Sequence, residues 1–124
     1  MVKLIKRLDK IMENKIENSV NKYLKHLGEK FTVFANRSLT AAADEFINEY
    51  VDGLSFEVGR KYIKVTKTDR SGSTGVHSFI VNTKNDKKFK YGDILKAASW
   101  AAPARNFARG NVFGEYGHIN WTGA

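Results

Sequence analysis

The chain has 124 residues, a net charge of +8, an isoelectric point near 9.7 and no cysteine. That length suits one ordinary domain and not two independent cores, and without cysteine, disulfides, thiol nucleophiles and cysteine metal sites are excluded together. No apolar run is long enough for a signal core or a membrane span, so the expectation is a soluble protein of a reducing cytoplasm with anionic partners.

Residues 1 to 30 carry eight basic and four acidic side chains, residues 31 to 53 one and four, and residues 54 to 124 twelve and five. The positive potential is therefore concentrated in the C-terminal part. Leu4, Leu8, Ile11, Ile16, Val20, Tyr23 or Leu24, and Leu27 follow steps of three and four with one longer gap. That spacing predicts an amphipathic helix over residues 3 to 27, ended by Gly28. A second helix is predicted from Lys30 to Val51, through Phe31, Phe34, Leu39, Ala42, Phe46, Ile47 and Tyr50. It carries an alanine run at 41 to 43 and an irregularity near Asn36 to Ser38, where Asn and Ser compete for backbone bonds. Gly53 closes this helical region.

From Leu54 the period changes to two. Phe56 and Val58 alternate, as do Ile63 and Val65, with Gly59 and Arg60 placed to turn a hairpin. TDRSGSTG, residues 68 to 75, reads as a loop, Val76 to Val81 as a strand, NTKNDKK as a turn, and the region of Gly92 as a further strand. After Pro103 a short helical turn is expected, with Gly110 as its cap. The fold class is thus α+β, one domain over 1 to 124: a helical part, 1 to 53, and a β-rich ligand-binding part, 54 to 124. The helix pair carries more apolar stripe than a small twisted sheet can cover. This predicts a homo-oligomer, a dimer or an assembly of dimers, unless residues 1 to 27 wrap their own sheet.

The segment GDILKAASWAAPARNFARGN, Gly92 to Asn111, crowds small residues, one tryptophan, the only proline and two arginines together. Small residues let a ligand approach backbone N–H groups, arginine forks match phosphate, and tryptophan offers a rigid face. Lys96, Arg105 and Arg109 are candidates to neutralise a pyrophosphate, Asp93 to accept from ribose hydroxyls or an adenine amine, and Phe79, Tyr91 and Trp100 to stack on a base. Packing readings stand beside these: Phe79 lies in an alternating strand, Trp100 can anchor a core, and Arg109 can pair with Glu115 or cap a carbonyl. His26, His77 and His118 lack metal-ligand spacing, and no nucleophile elbow, phosphate loop or dinucleotide fingerprint occurs. No catalytic residue, cofactor or metal is assigned.

KYIKV at Lys61 to Val65, followed by GDILKAASW, AP and ARGN in that order, resembles the first family of Thoeris anti-defence proteins of phages. These proteins sequester the cyclic ADP-ribose signal made by bacterial TIR-domain enzymes. The resemblance spans roughly Phe56 to Asn111, and the loop from Thr68 to Thr74 and the tail from Phe113 to Ala124 share no word with it. It implies N-terminal helices on a β-rich core, pockets between two subunits, and a ligand site at Lys96, Ala98, Ser99, Trp100, Arg109 and Asn111, with Arg105 added. It further implies a non-catalytic sponge for a small cyclic nucleotide, glycocyclic ADP-ribose, in the host cytoplasm, and cyclic oligonucleotides at a second site. The rival reading is a basic nucleic-acid-binding phage accessory protein, supported by YIKVTK and KKFKYGD, where cations and aromatics interleave. A nucleotide-cleaving enzyme using Asp93, His77 and Lys96 is the third.

Overall fold

The computed structural model describes the backbone from Val2 to Ala124 and the side chains from Lys15 onward. Helix α1 runs Val2–Ser38, a 3-10 turn covers Thr40–Ala42, and α2 runs Ala43–Gly53. Five strands follow: β1 Leu54–Val58, β2 Tyr62–Thr68, β3 Thr74–Val81, β4 Asp93–Lys96 and β5 Gly110–Asn111. They form one antiparallel sheet in the order of the chain. The α+β class and the helical-then-β order are as the periodicity predicts.

The helix boundaries differ. Gly28 does not end the first helix; α1 continues through it to Ser38. A Cβ at Gly28 would lie 3.3 Å from Val51 Cγ2, so this glycine lets α2 pack closely on α1. The chain turns after Ser38, at the edge of the Asn36 to Ser38 stretch singled out above. In the alanine run only Ala43 is buried, against Phe31 and Ala35. The predicted positions Leu4, Leu8 and Ile11 lie outside the described side chains.

Alternation along the strands gives the sheet two apolar faces. Ile63, Val65, Ile80 and Ile94 meet Ile16, Val20, Tyr23 and Leu27 of α1. From Ile16 onward α1 thus covers its own sheet, and that part of its stripe is not surplus. On the other face Phe79, Val81 and Leu95 pack with Phe89, screened by Tyr62, Ala97 and Ala108. The C-terminal tail closes the gap between helix and sheet: Val112 and Ile119 are buried, and Trp121 meets the Phe31 ring edge-on at 4.9 Å between centroids.

A buried polar chain crosses the first core. The Tyr23 hydroxyl lies 3.0 Å from Ser78 Oγ, which is 2.9 Å from His77 Nδ1. His77 Nε2 is 2.9 Å from the Asn120 carbonyl, so Nε2 carries the proton and Nδ1 accepts. His77 sits where β2 and β3 slip register, opposite the step from Val65 to Thr66. Burial holds its pKa down to about 4, so the ring is neutral at pH 7.

The helical turn expected after Pro103 does not form. Residues 97 to 104 fold back on β4 instead: Ala97 bridges Pro103, Ala98 N–H donates to Ala102 O at 3.0 Å, and Ala104 N–H donates to Lys96 O at 2.8 Å. Gly110 is a strand residue, not a helix cap. It pairs with Ile94, and a Cβ there would lie 2.5 Å from Glu115 O.

Candidate functional site

The backbone turn after β4 sets what the 92 to 111 segment displays. Ser99 Oγ accepts from the N–H groups of Ala101 at 3.3 Å and Ala102 at 3.2 Å, which pins the tip of the loop. Ala98, Ser99 and Trp100 are exposed there, and Lys96 is exposed at its base. Trp100 is 52% exposed, so it does not anchor the core; the Lys64 ammonium sits 4.2 Å from its ring centroid. A cation over an open indole is a surface suited to a flat, electron-rich or anionic partner.

Arg109 is placed differently from Arg105. Its backbone is clamped on both sides, N–H donating to Ile94 O at 2.7 Å and the carbonyl accepting from His118 Nε2. Its guanidinium carbon lies 3.9 Å from the centroid of the Phe107 ring, itself 54% exposed. The Nε atom is buried and has no hydrogen-bond partner. Among the described residues neither Glu115 nor another carboxylate pairs with it. Phe107, Arg109, His118 and Asn120 line one cleft of about 380 Å³. A permanent cation at a cleft wall, with no carboxylate partner among the described residues, suits an incoming oxyanion.

The other candidates serve the scaffold. Arg105 Nη2 lies 2.9 and 3.0 Å from the two Asp86 oxygens, and Nη1 donates to the Tyr62 hydroxyl at 2.6 Å. The Arg105 guanidinium, with the N–H groups of Phe89 and Lys88, holds the Asp86 carboxyl far below the usual carboxylate range. Asp93 Oδ1 accepts from Asn111 Nδ2 at 2.9 Å and Oδ2 from Lys90 N–H at 2.9 Å. Asn111 also donates to Tyr91 O at 3.1 Å and accepts from Phe113 N–H at 2.8 Å. Together these two residues fasten the turn around Gly92, whose φ of 89° suits glycine. Phe79 is 2% exposed, so its ring is core and not a stacking platform. His77 is sealed in the core, with Nδ1 on Ser78 Oγ and Nε2 on the Asn120 carbonyl. No three His, Asp or Glu side chains gather as metal ligands among the described residues, and no described helix is long and apolar enough to cross a membrane.

Sequence reasoning missed Phe107, His118 and Lys64. Phe107 stands two residues from Arg109, the spacing that puts both on one side of an extended segment. His118 comes from the tail, and nothing in the sequence marks its contact with Arg109.

The fold and site define a small α+β domain with a cationic, aromatic surface and an unfilled arginine donor. The chain belongs to a family of unknown function, DUF7717, whose model matches residues 7 to 123. No curated protein and no solved structure matches the chain.

Proposed function

We propose that this protein binds a nucleotide-type anion and holds it without transforming it, with Arg109 as the phosphate contact. The observation that carries the reading is Arg109, which lines the cleft beside exposed Phe107 and has no carboxylate partner among the described residues. The surplus of basic residues after Leu54 supports it by drawing anions to this half of the chain. In its specific form, carried by the sequence resemblance alone, the ligand is a cyclic ADP-ribose-type immune signal and the protein a sponge acting by mass action. Titration with glycocyclic ADP-ribose tests both levels. Saturable binding by the wild type, lost in Arg109→Ala, supports the sponge; binding of ADP-ribose or ATP but not the cyclic signal keeps the general reading and removes the specific one. Heating the complex should return intact ligand. Recovery of an altered nucleotide would replace the sponge with an enzyme.

A second reading, nucleic-acid binding, draws on one observation: Trp100, with Lys64 stacked on it, stands on an open loop tip where a base of a longer strand can stack. Salt separates the two. Affinity for single-stranded nucleic acid falls steeply between 50 and 200 mM salt, by roughly 10³ or more for a protein with several phosphate contacts, whereas a small clefted ligand responds far less.

A further inference from the structure

A second cleft, of about 450 Å³, opens between the helices and the β2–β3 hairpin, and none of its lining residues belongs to the 92 to 111 segment. Phe31, Phe46 and Tyr50 give it three aromatic walls, and the Phe31 and Tyr50 rings stack at 4.6 Å with 7° between planes. The Tyr50 hydroxyl is spent: it donates to Trp121 O at 2.8 Å, so Tyr50 offers only its ring. Thr68 and Thr74 share a hydrogen bond of 2.8 Å between their hydroxyls. The two acids at the rim are also occupied. Glu49 takes Arg70 N–H at 3.1 Å on one oxygen and Arg70 Nε at 3.3 Å on the other. Asp69 Oδ1 accepts from Ser71 N–H, Ser71 Oγ and Ser73 N–H.

Lys67 is the exception. Its ammonium makes one hydrogen bond, to Thr122 O at 3.2 Å, and faces no carboxylate ion pair among the described residues. An ammonium has three donors, so two are open to solvent or to a ligand in the cleft. Partial burial lowers its pKa, which is the cost that an anion arriving beside it would offset.

One unspent cation at the base of three aromatic rings defines its own ligand. We infer that the cleft lined by Phe31, Phe46, Tyr50 and Lys67 binds a small aromatic carboxylate, its flat body against the exposed Phe46 ring and the stacked Phe31–Tyr50 pair and its anionic head on Lys67. The volume falls in the range of small-molecule sites and suits one or two fused rings. A single charge-assisted contact fixes orientation, and ring burial supplies the rest. The site is independent of Arg109 and stands or falls separately from the nucleotide reading.

The probes are 2-naphthoate and its neutral amide, 2-naphthamide, followed by amide chemical shifts of the full chain. Naphthoate should bind at sub-millimolar concentration, shifting residues of α2 and of the hairpin around Lys67 to Gly75, and naphthamide about tenfold more weakly, the worth of one charged hydrogen bond. Lys67→Met should bring the acid down to the level of the amide, Lys67→Arg should restore much of the difference, and Arg109→Ala should leave both unchanged. Equal binding of acid and amide by the wild-type protein would overturn the inference without recourse to any variant. So would naphthoate shifts centred on Trp100 or Arg109, or no shifts at millimolar ligand.

Discussion

Arg105 and Arg109 carry the same side chain four residues apart, and their neighbours give them opposite work. Arg105 meets a bidentate carboxylate, a phenol and the face of Phe89 at 4.9 Å, so its hydrogen-bonding capacity is largely filled. Arg105→Ala should therefore lower the thermal midpoint and loosen the 84 to 90 loop while leaving ligand affinity close to wild type. Arg109→Ala should do the reverse: an unchanged midpoint, since it removes an orphaned donor, and a loss of affinity of about 2 kcal/mol or more if the ion pair is desolvated. Parallel melting curves and titrations of the two variants check this exchange of roles. His77 gives the residue scale a pH signature. Its folded pKa of about 4 lies below the ordinary 6.5, so the unfolded chain binds the extra proton between these values. Stability is then full above pH 6.5 and falls as pH drops toward 4, by about 3 kcal/mol for a shift of this size. His77→Gln removes the titration and keeps an acceptor and a donor. Urea unfolding between pH 7 and 4 should show a shallower loss in the variant than in the wild type; equal slopes would mean that His77 does not titrate in that window.

The same separation of roles governs the elements, and it decides which of them could be read in advance. Gly53 joins α2 directly to β1, and a Cβ there would sit 2.1 Å from the backbone oxygen of Thr68. Gly53→Ala should cost about 1 to 3 kcal/mol in urea unfolding, because backbone cannot rotate aside as a side chain does. Gly75→Ala meets nothing within 4 Å and should be neutral or slightly stabilising, which makes it the matched control. The strands from Leu54 to Val81 were legible because alternation and turn residues act over a few positions. Gly28 was misread because a glycine's local cost in a helix is about 1 kcal/mol, less than the packing it permits against Val51. Residues 97 to 110 were misread for a related reason: Pro103 and Gly110 suit a helical turn and an extended return equally, and pairing with β4 chose the latter. At the candidate site, residue types were legible and partners were not. Nothing near Asp93 in sequence shows that Asn111 fills its oxygen, and nothing near Arg109 shows that its Nε is left unmet. The tail was illegible because its work is tertiary: Ile119, Asn120 and Trp121 act through contacts with residues 43 to 93 positions away.

Across the whole molecule, α1 is out of scale with what it covers. Its 37 residues span about 55 Å, whereas the 8-residue β3 spans about 26 Å. Among the described side chains the contacts with its own sheet run from Ile16 onward, and in the sequence the apolar spacing continues back through Ile11, Leu8 and Leu4. Among the described residues Val33, Phe34, Phe46 and Val51 are also substantially exposed on the helical half. Apolar side chains of the helical half that one copy leaves exposed are best buried against a second, so the expected mass at micromolar concentration is about twice the 14.0 kDa of one chain. Leu8→Glu with Ile11→Glu should return the protein to 14.0 kDa without changing its β-sheet signature in circular dichroism. Charge adds a test of sign. Lys3, Lys6, Arg7, Lys10 and Lys15 outnumber Asp9 and Glu13 along this stretch, so two such helices repel at low salt. Screening over about 10 Å at 0.1 M relieves that repulsion, and the dimer should tighten as salt rises, opposite to the weakening expected for phosphate binding. Sedimentation equilibrium at 20 and 300 mM salt reads both effects. A 14.0 kDa species throughout would end the dimer proposal, and a dimer that survives the double substitution would move the interface to the patch around Phe34 and Phe46.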